Sequence, residues 1–277
     1  MTSPPNPFSE PLVTAGTTAP PPPTVEPSLS PTLLEDPPWT GWEVLALAAA
    51  TFVAMVICIL AVGFALRPYV APHQPWTAAM TRPEVIVGGQ LFAYTLLFFL
   101  MYAIVRNHTD GDVFAALRWN WPKQKWGNYL LAGLLLAICL VPFEYFLPIP
   151  KKLPVDEFFK TARDAYILSI FGIFFAPLFE ELFFRGFLYP VLARRLGMGA
   201  SIFITSVFFA GIHGSQVKYS WAPVLMIFIV GVTLTTVRAL KKSVAATTLM
   251  HMAYNGTIFI ATFIATDGFR HMERFNQ

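Results

Sequence analysis

Seven long apolar runs follow one another from residue 43 onward: 43–66, 84–105, 127–147, 167–189, 200–213, 222–239 and 244–265. A helix rises 1.5 Å per residue, so roughly 20 apolar residues cross a hydrocarbon layer ~30 Å thick. The pattern predicts an all-α fold, a polytopic transmembrane helix bundle of seven to eight spans. The fifth run is the shortest. It is expected to start before its apolar core or to end inside the protein rather than in lipid. Pro68, Pro83, Pro122, Pro148, Pro150 and Pro154 fall between the runs, where helices should stop. Trp39, Trp42, Trp76, Trp119, Trp121, Trp126 and Trp221 lie near run ends, the pattern of an interfacial aromatic belt. Residues 151–166 are too polar to span. Phe158, Phe159, Ala162 and Tyr166 give them one apolar face, which predicts a short helix lying at the interface, with a plain loop as the alternative.

The first 38 residues break this pattern. They hold 12 of the 24 prolines, four acidic residues and no Lys or Arg. Proline removes backbone donors, and little here is apolar enough to offset ordering entropy, so a disordered tail is expected. It has neither the basic start nor the apolar stretch of a signal peptide. The expected division is a proline-rich tail at 1–38, three spans and the interfacial segment at 39–164, a catalytic core at 165–265 and a short tail at 266–277.

Composition agrees with the runs. Of 277 residues, 55% are hydrophobic and 13% charged, and mean hydropathy is +0.56. Ordinary soluble domains are about 25% charged. This excludes a cytosolic globular enzyme, a nucleic-acid reader and a disordered scaffold. It makes the bilayer the first partner and a multi-pass membrane location the expectation, the plasma membrane in a bacterium. The net charge of +3 signals no electrostatic partner. Basic residues split nine to nine between the two sides, so the positive-inside rule gives no orientation. Cys58 and Cys139 make no CxxC.

Charge inside a span is expensive, so ionisable residues there are functional candidates. Glu180, Glu181, Arg185, His213 and His251 are such residues, with Asn255 as a polar neighbour and Glu144 near the end of its run. Glu181 and Arg185 are four apart and share a helix face. Glu180 points about 100° away and has no partner on its own helix, as a base for activating water would require. His251 and Asn255 are also four apart. Counted by helical rise from the loops at 190–199 and 240–243, these groups lie about 12–20 Å deep, near the middle of the core. Any one of them alone is explained as interhelical glue. Five ionisable groups at matched depth on three helices point instead to a shared pocket. Thr247, Thr248 and Cys139 are expected to pack rather than act as nucleophiles.

Glu180-Glu181-Leu-Phe-Phe-Arg185, Phe209-Ala-Gly-Ile-His213 and His251-Met-Ala-Tyr-Asn255 resemble the EExxxR, FxxxH and HxxxN motifs of the CPBP intramembrane protease family, also called the CAAX-protease and bacteriocin-processing or Abi family. EExxxR is the most specific of the three and FxxxH the least. The resemblance covers roughly 165–265. It implies an endopeptidase acting on a membrane-associated or prenylated-type protein. Glu180 with His213 would activate water, His251 and Asn255 would hold the oxyanion, and Glu181 with Arg185 would support them. A non-enzymatic immunity or partner protein of the same family is the alternative. The family is often labelled metalloprotease, and Glu180, His213 and His251 would be a sufficient zinc set. There is no HExxH, and His251 with Asn255 suits a donor cradle better than a ligand pair. The expectation is therefore direct Glu/His activation of water without a cofactor, with zinc as the alternative.

Overall fold

The computed structural model describes residues 1–2, 35–150 and 152–271, without the side chains of Glu144 and Tyr145. The expectation of a proline-rich tail falls almost wholly on residues outside this set, as does the end of the carboxy-terminal tail. All that follows concerns the compact unit Leu34–Gln277.

The described residues form helices and no strand: α1 Gly41–Val70, α2 Trp76–Met80, α3 Pro83–His108, α4 Val113–Ala116, α5 Trp126–Phe146, α6 Ala162–Ile170, α7 Ala176–Glu181, α8 Tyr189–His213, α9 Trp221–Lys241 and α10 Val244–Ala265. Local sequence sets their starts. Thr40 and Glu43 close a reciprocal capping box at α1, Pro83 opens α3 at its first position, and the Ser243 hydroxyl accepts the Ala246 N–H at α10. Six helical runs among the described residues are long and apolar enough to cross a membrane.

The fourth of these runs, Ala162–Val217, is 56 residues long, roughly 84 Å if straight and too long for one crossing. Gly197 breaks it, with φ 74° and ψ 174°, a conformation closed to side chains with a Cβ. The limbs fold back on each other. Phe209, beyond the break, meets Phe184, before it, at 5.3 Å between ring centroids. These limbs are the fourth and fifth expected spans. The first limb is not uniform either. Phe171–Phe175 and Leu182–Leu188 are π-helical and flank α7 on both sides.

Helices pair as α1 with α3, α5 with α10 and α8 with α9, and α10 also contacts α9, α7 and both π segments. Gly133 allows the second pairing. A Cβ there would collide with the Met250 carbonyl oxygen, so the backbones of α5 and α10 touch.

Three local expectations are corrected. Residues 151–166 are not one interfacial helix. Pro154–Phe158 is a single 3₁₀ turn, and Ala162 and Tyr166 belong to α6, which begins five residues before the expected span because Thr161 and Asp164 form a capping box. Pro68 lies in the last turn of α1 rather than between spans. Trp39 is no belt residue. It is fully buried, stacks on Phe187 at 5.1 Å, and donates its indole N–H to the Phe187 carbonyl at 2.9 Å. Trp119 is half-buried against the same core cluster, whereas Trp42, Trp76, Trp126 and Trp221 are exposed at helix starts and Trp121 in the loop before α5, as a belt requires.

Candidate active site

Glu181 is fully buried and its charge is answered twice. Arg185, one turn on, donates to Oε1 at 2.8 Å. His251 of α10 approaches the same oxygen with Nδ1 at 2.9 Å. The remaining guanidinium donors go to α9, Nε to the Thr235 hydroxyl at 3.2 Å and Nη2 to the Gly231 carbonyl at 3.1 Å. A buried guanidinium needs such a full set of acceptors. Because Glu181 accepts from Arg185, the proton on His251 Nδ1 points at the carboxylate, and Nε2 is left facing away from it.

His213 is fixed in the same sense. Its Nδ1 donates to the Phe209 carbonyl at 2.7 Å, since a carbonyl only accepts. Its free Nε2 lies 3.8 Å from Glu180 Oε1. His251 Nε2 lies 4.0 Å from Glu180 Oε2. Glu180, 8% exposed, therefore sits between two imidazole nitrogens. Both separations exceed direct hydrogen-bond length and suit a bridging water. Asn255 donates Nδ2 to the Gly172 carbonyl, in the first π segment, at 2.7 Å. One amide hydrogen remains available.

Glu180, His213, His251 and Asn255 line one cavity of about 480 Å³. The depth matching read from the sequence is thus realised as proximity on three helices. Phe209, the first residue of the least specific motif, has two parts in it. Its carbonyl orients His213. Its ring lies 4.4 Å from the Arg185 guanidinium and 4.8 and 5.8 Å from the two imidazoles. Thr247 and Thr248 donate their hydroxyls to the Val244 carbonyl, in packing roles.

Residues 162–257 match the family model described as type II CAAX prenyl endopeptidase Rce1-like. The matched segment contains all three motifs and every one of the six candidate site residues. It agrees with the CPBP and CAAX-protease resemblance and supports a membrane protease function. No curated protein and no solved structure shows a significant match.

The zinc alternative can be tested on donor geometry. Zinc bonds of ~2.0–2.2 Å place tetrahedral neighbours about 3.3 Å apart. The separations from Glu180 are 3.8 and 4.0 Å. Among the described residues no group of three His, Cys, Asp or Glu is placed to hold an ion. As they stand, the side chains do not fit a zinc site, and no chemical step is routed through one.

The cavity also includes residues that sequence reasoning missed: Gln90 and Tyr94 of α3, and Val155, Phe158 and Phe159 of the misread segment. Gln90 carried a usable signal, being a polar side chain inside an apolar run.

Proposed function

We propose that the protein is an intramembrane endopeptidase that cleaves a membrane-associated, prenylated-type peptide with water activated by Glu180 and His213. What supports this reading above all is the placing of Glu180 between the Nε2 atoms of His213 and His251 in one cavity.

A water held between Glu180 and the His213 Nε2 lone pair loses one proton to the Glu180 carboxylate as its oxygen bonds to the scissile carbonyl carbon. Negative charge develops on the carbonyl oxygen. His251, protonated on Nε2 and backed by the Glu181 carboxylate, donates to it together with the remaining Asn255 amide hydrogen. The proton on Glu180 passes to the leaving nitrogen, the C–N bond breaks, and an amine and a carboxylic acid depart. Arg185 keeps Glu181 ionised without contacting the substrate and so acts as a positioning residue.

Glu180→Gln and His213→Ala in the full chain, reconstituted in liposomes, are each expected to lower cleavage of an S-farnesyl peptide by about 10²–10⁴-fold with the melting temperature retained. Full activity in Glu180→Gln overturns the base assignment. One zinc per chain by elemental analysis, with activity lost on stripping and restored on return, overturns the metal-free route.

A further inference from the structure

The catalytic cavity has a wall outside the matched segment. Ile86, Gln90 and Tyr94 stand one turn apart on α3 and line the same space as Glu180, His213, His251 and Asn255. Aromatic contacts pin this wall to the motif helix. The Tyr94 ring stacks on Phe171 at 6.1 Å and lies 5.2 Å from Phe179. Phe171 precedes the Gly172 whose carbonyl holds Asn255, and Phe179 precedes Glu180.

Among the described residues, the Gln90 amide and the Tyr94 hydroxyl make no hydrogen bond, and neither is sealed away from the cavity. An amide inside an apolar run is out of pattern, and a leucine there would leave no polar group to satisfy. The lining is mixed: Phe158, Leu168, Ile258 and Phe259 are apolar, and Ser215 and Gln216 are polar alongside the candidate site residues. A peptide entering this space leaves water and needs partners for its own N–H and C=O groups. Glutamine offers both a donor and an acceptor, the complement of one peptide unit. The spacing fits as well. Residues i and i+4 on a helix are about 6 Å apart along its axis. Peptide groups on one edge of an extended chain repeat every two residues, about 6.6 Å.

We propose that Gln90 and Tyr94 form a polar shelf that hydrogen-bonds the main chain of an extended substrate peptide and holds its scissile bond at Glu180. This rests on the reading of the cavity as a peptide-cleaving site and adds how the peptide is gripped. The shelf recognises backbone rather than side chains, so it places the peptide without selecting its sequence.

The test separates grip from chemistry. The probe is a fluorescent S-farnesyl peptide ending in Cys-aliphatic-aliphatic-Met, with a set of depsipeptides in which each amide N–H after the cysteine is replaced in turn by an ester oxygen. Binding is read by anisotropy on full-length protein in liposomes, in the cleavage-silent Glu180→Gln background. Gln90→Leu and Tyr94→Phe are each expected to raise Kd about three- to tenfold. One ester position is expected to weaken binding to the parent by a similar factor and to have no effect in Gln90→Leu. Tyr94→Phe keeps the ring contacts and carries the test alone if Gln90→Leu fails to fold. Unchanged Kd in the variants, an ester penalty that persists in Gln90→Leu, or no binding of the probe overturns the shelf. Gln90-dependent binding with cleavage untouched by Glu180→Gln overturns the catalytic reading and leaves the shelf standing.

Discussion

Two arginines, Arg185 and Arg238, are fully buried, and each is answered by a buried glutamate. Arg185 meets Glu181 at 2.8 Å. Arg238 meets Glu35 at 2.9 Å, and Lys242 adds a second cation at 2.7 Å. Both guanidiniums also lie over an aromatic ring, Phe209 for the first and Tyr189 for the second. The chemistry is nearly the same, and the surroundings are not. The Arg185 pair hands its carboxylate on to His251, whose other nitrogen faces a second glutamate across a cavity. The Arg238 cluster ties the chain before α1 to the end of α9, and its residues do not line that cavity. Pairing makes buried charge tolerable. A reactive site needs, in addition, an incompletely satisfied acid and room beside it.

The sharpest way to break this contrast is to remove each arginine. Arg185→Leu leaves Glu181 buried without its cation, with an expected loss of about 3–5 kcal/mol. It also costs His251 its oriented partner, so cleavage should disappear even from protein that remains folded. Arg238→Leu is expected to cost a similar 3–5 kcal/mol for the same reason, yet to leave kcat per folded molecule unchanged. Thermal melts combined with active-site-normalised kinetics separate the two. Equal loss of kcat in both variants would erase the distinction.

Acidity sharpens it further. Burial alone would push the Glu35 carboxyl up, but the charges and hydrogen bonds of Arg238 and Lys242 outweigh this and hold it below its ordinary 4.5. A group with a depressed folded pKa contributes stability that is complete above its unfolded value and is lost as pH falls through the folded one. The melting temperature of the wild-type protein should therefore gain a downward component below about pH 4.5 that Glu35→Gln lacks. Identical pH profiles would show the anchor to be inert. The smallest effect is expected at Trp39→Phe, which keeps a ring against Phe187 but loses the indole hydrogen bond and part of a fully buried ring system, about 1–3 kcal/mol. A melting shift without a change in kcat would place Trp39 on the anchoring side of the comparison.

The apolar runs revealed the spans because lipid leaves the chain few choices, and most of their ends fell within a few residues of the helices; the fourth limb instead runs on to Gly197, through residues 190–196 that were expected to be loop. The site was legible for a related reason. Glu180, Glu181, Arg185, His213 and His251 have no business in hydrocarbon unless they meet. What was not legible depends on contacts distant in sequence. Trp39 has the look of a belt residue until Phe187, 148 positions away, is seen to accept its N–H. The long limb before Gly197 hides two π segments that no apolar period marks. The start of α6 was legible in Thr161 and Asp164, but the aromatic pair Phe158-Phe159 suggested an amphipathic face instead. Gln90 went unnoticed because attention to ionisable groups passes over a neutral amide.

The two π segments have a consequence for how this chain tolerates change in length. Each fits an extra residue into a helical turn, so the wide turn carries Glu180 and Glu181 round the axis about as far as an ordinary turn with one residue fewer would. Losing a single residue there would exchange a wide turn for an ordinary one and leave both acids on nearly the same bearing, whereas losing one from the ordinary turn of α7 before Glu180 would swing them by about 100° around the axis, off His213 and His251 together. The wide turns act as a reserve of length: a codon can be lost from them with the bearing of the acids kept, whereas a codon lost from the ordinary turn beside them points both acids at a different neighbour.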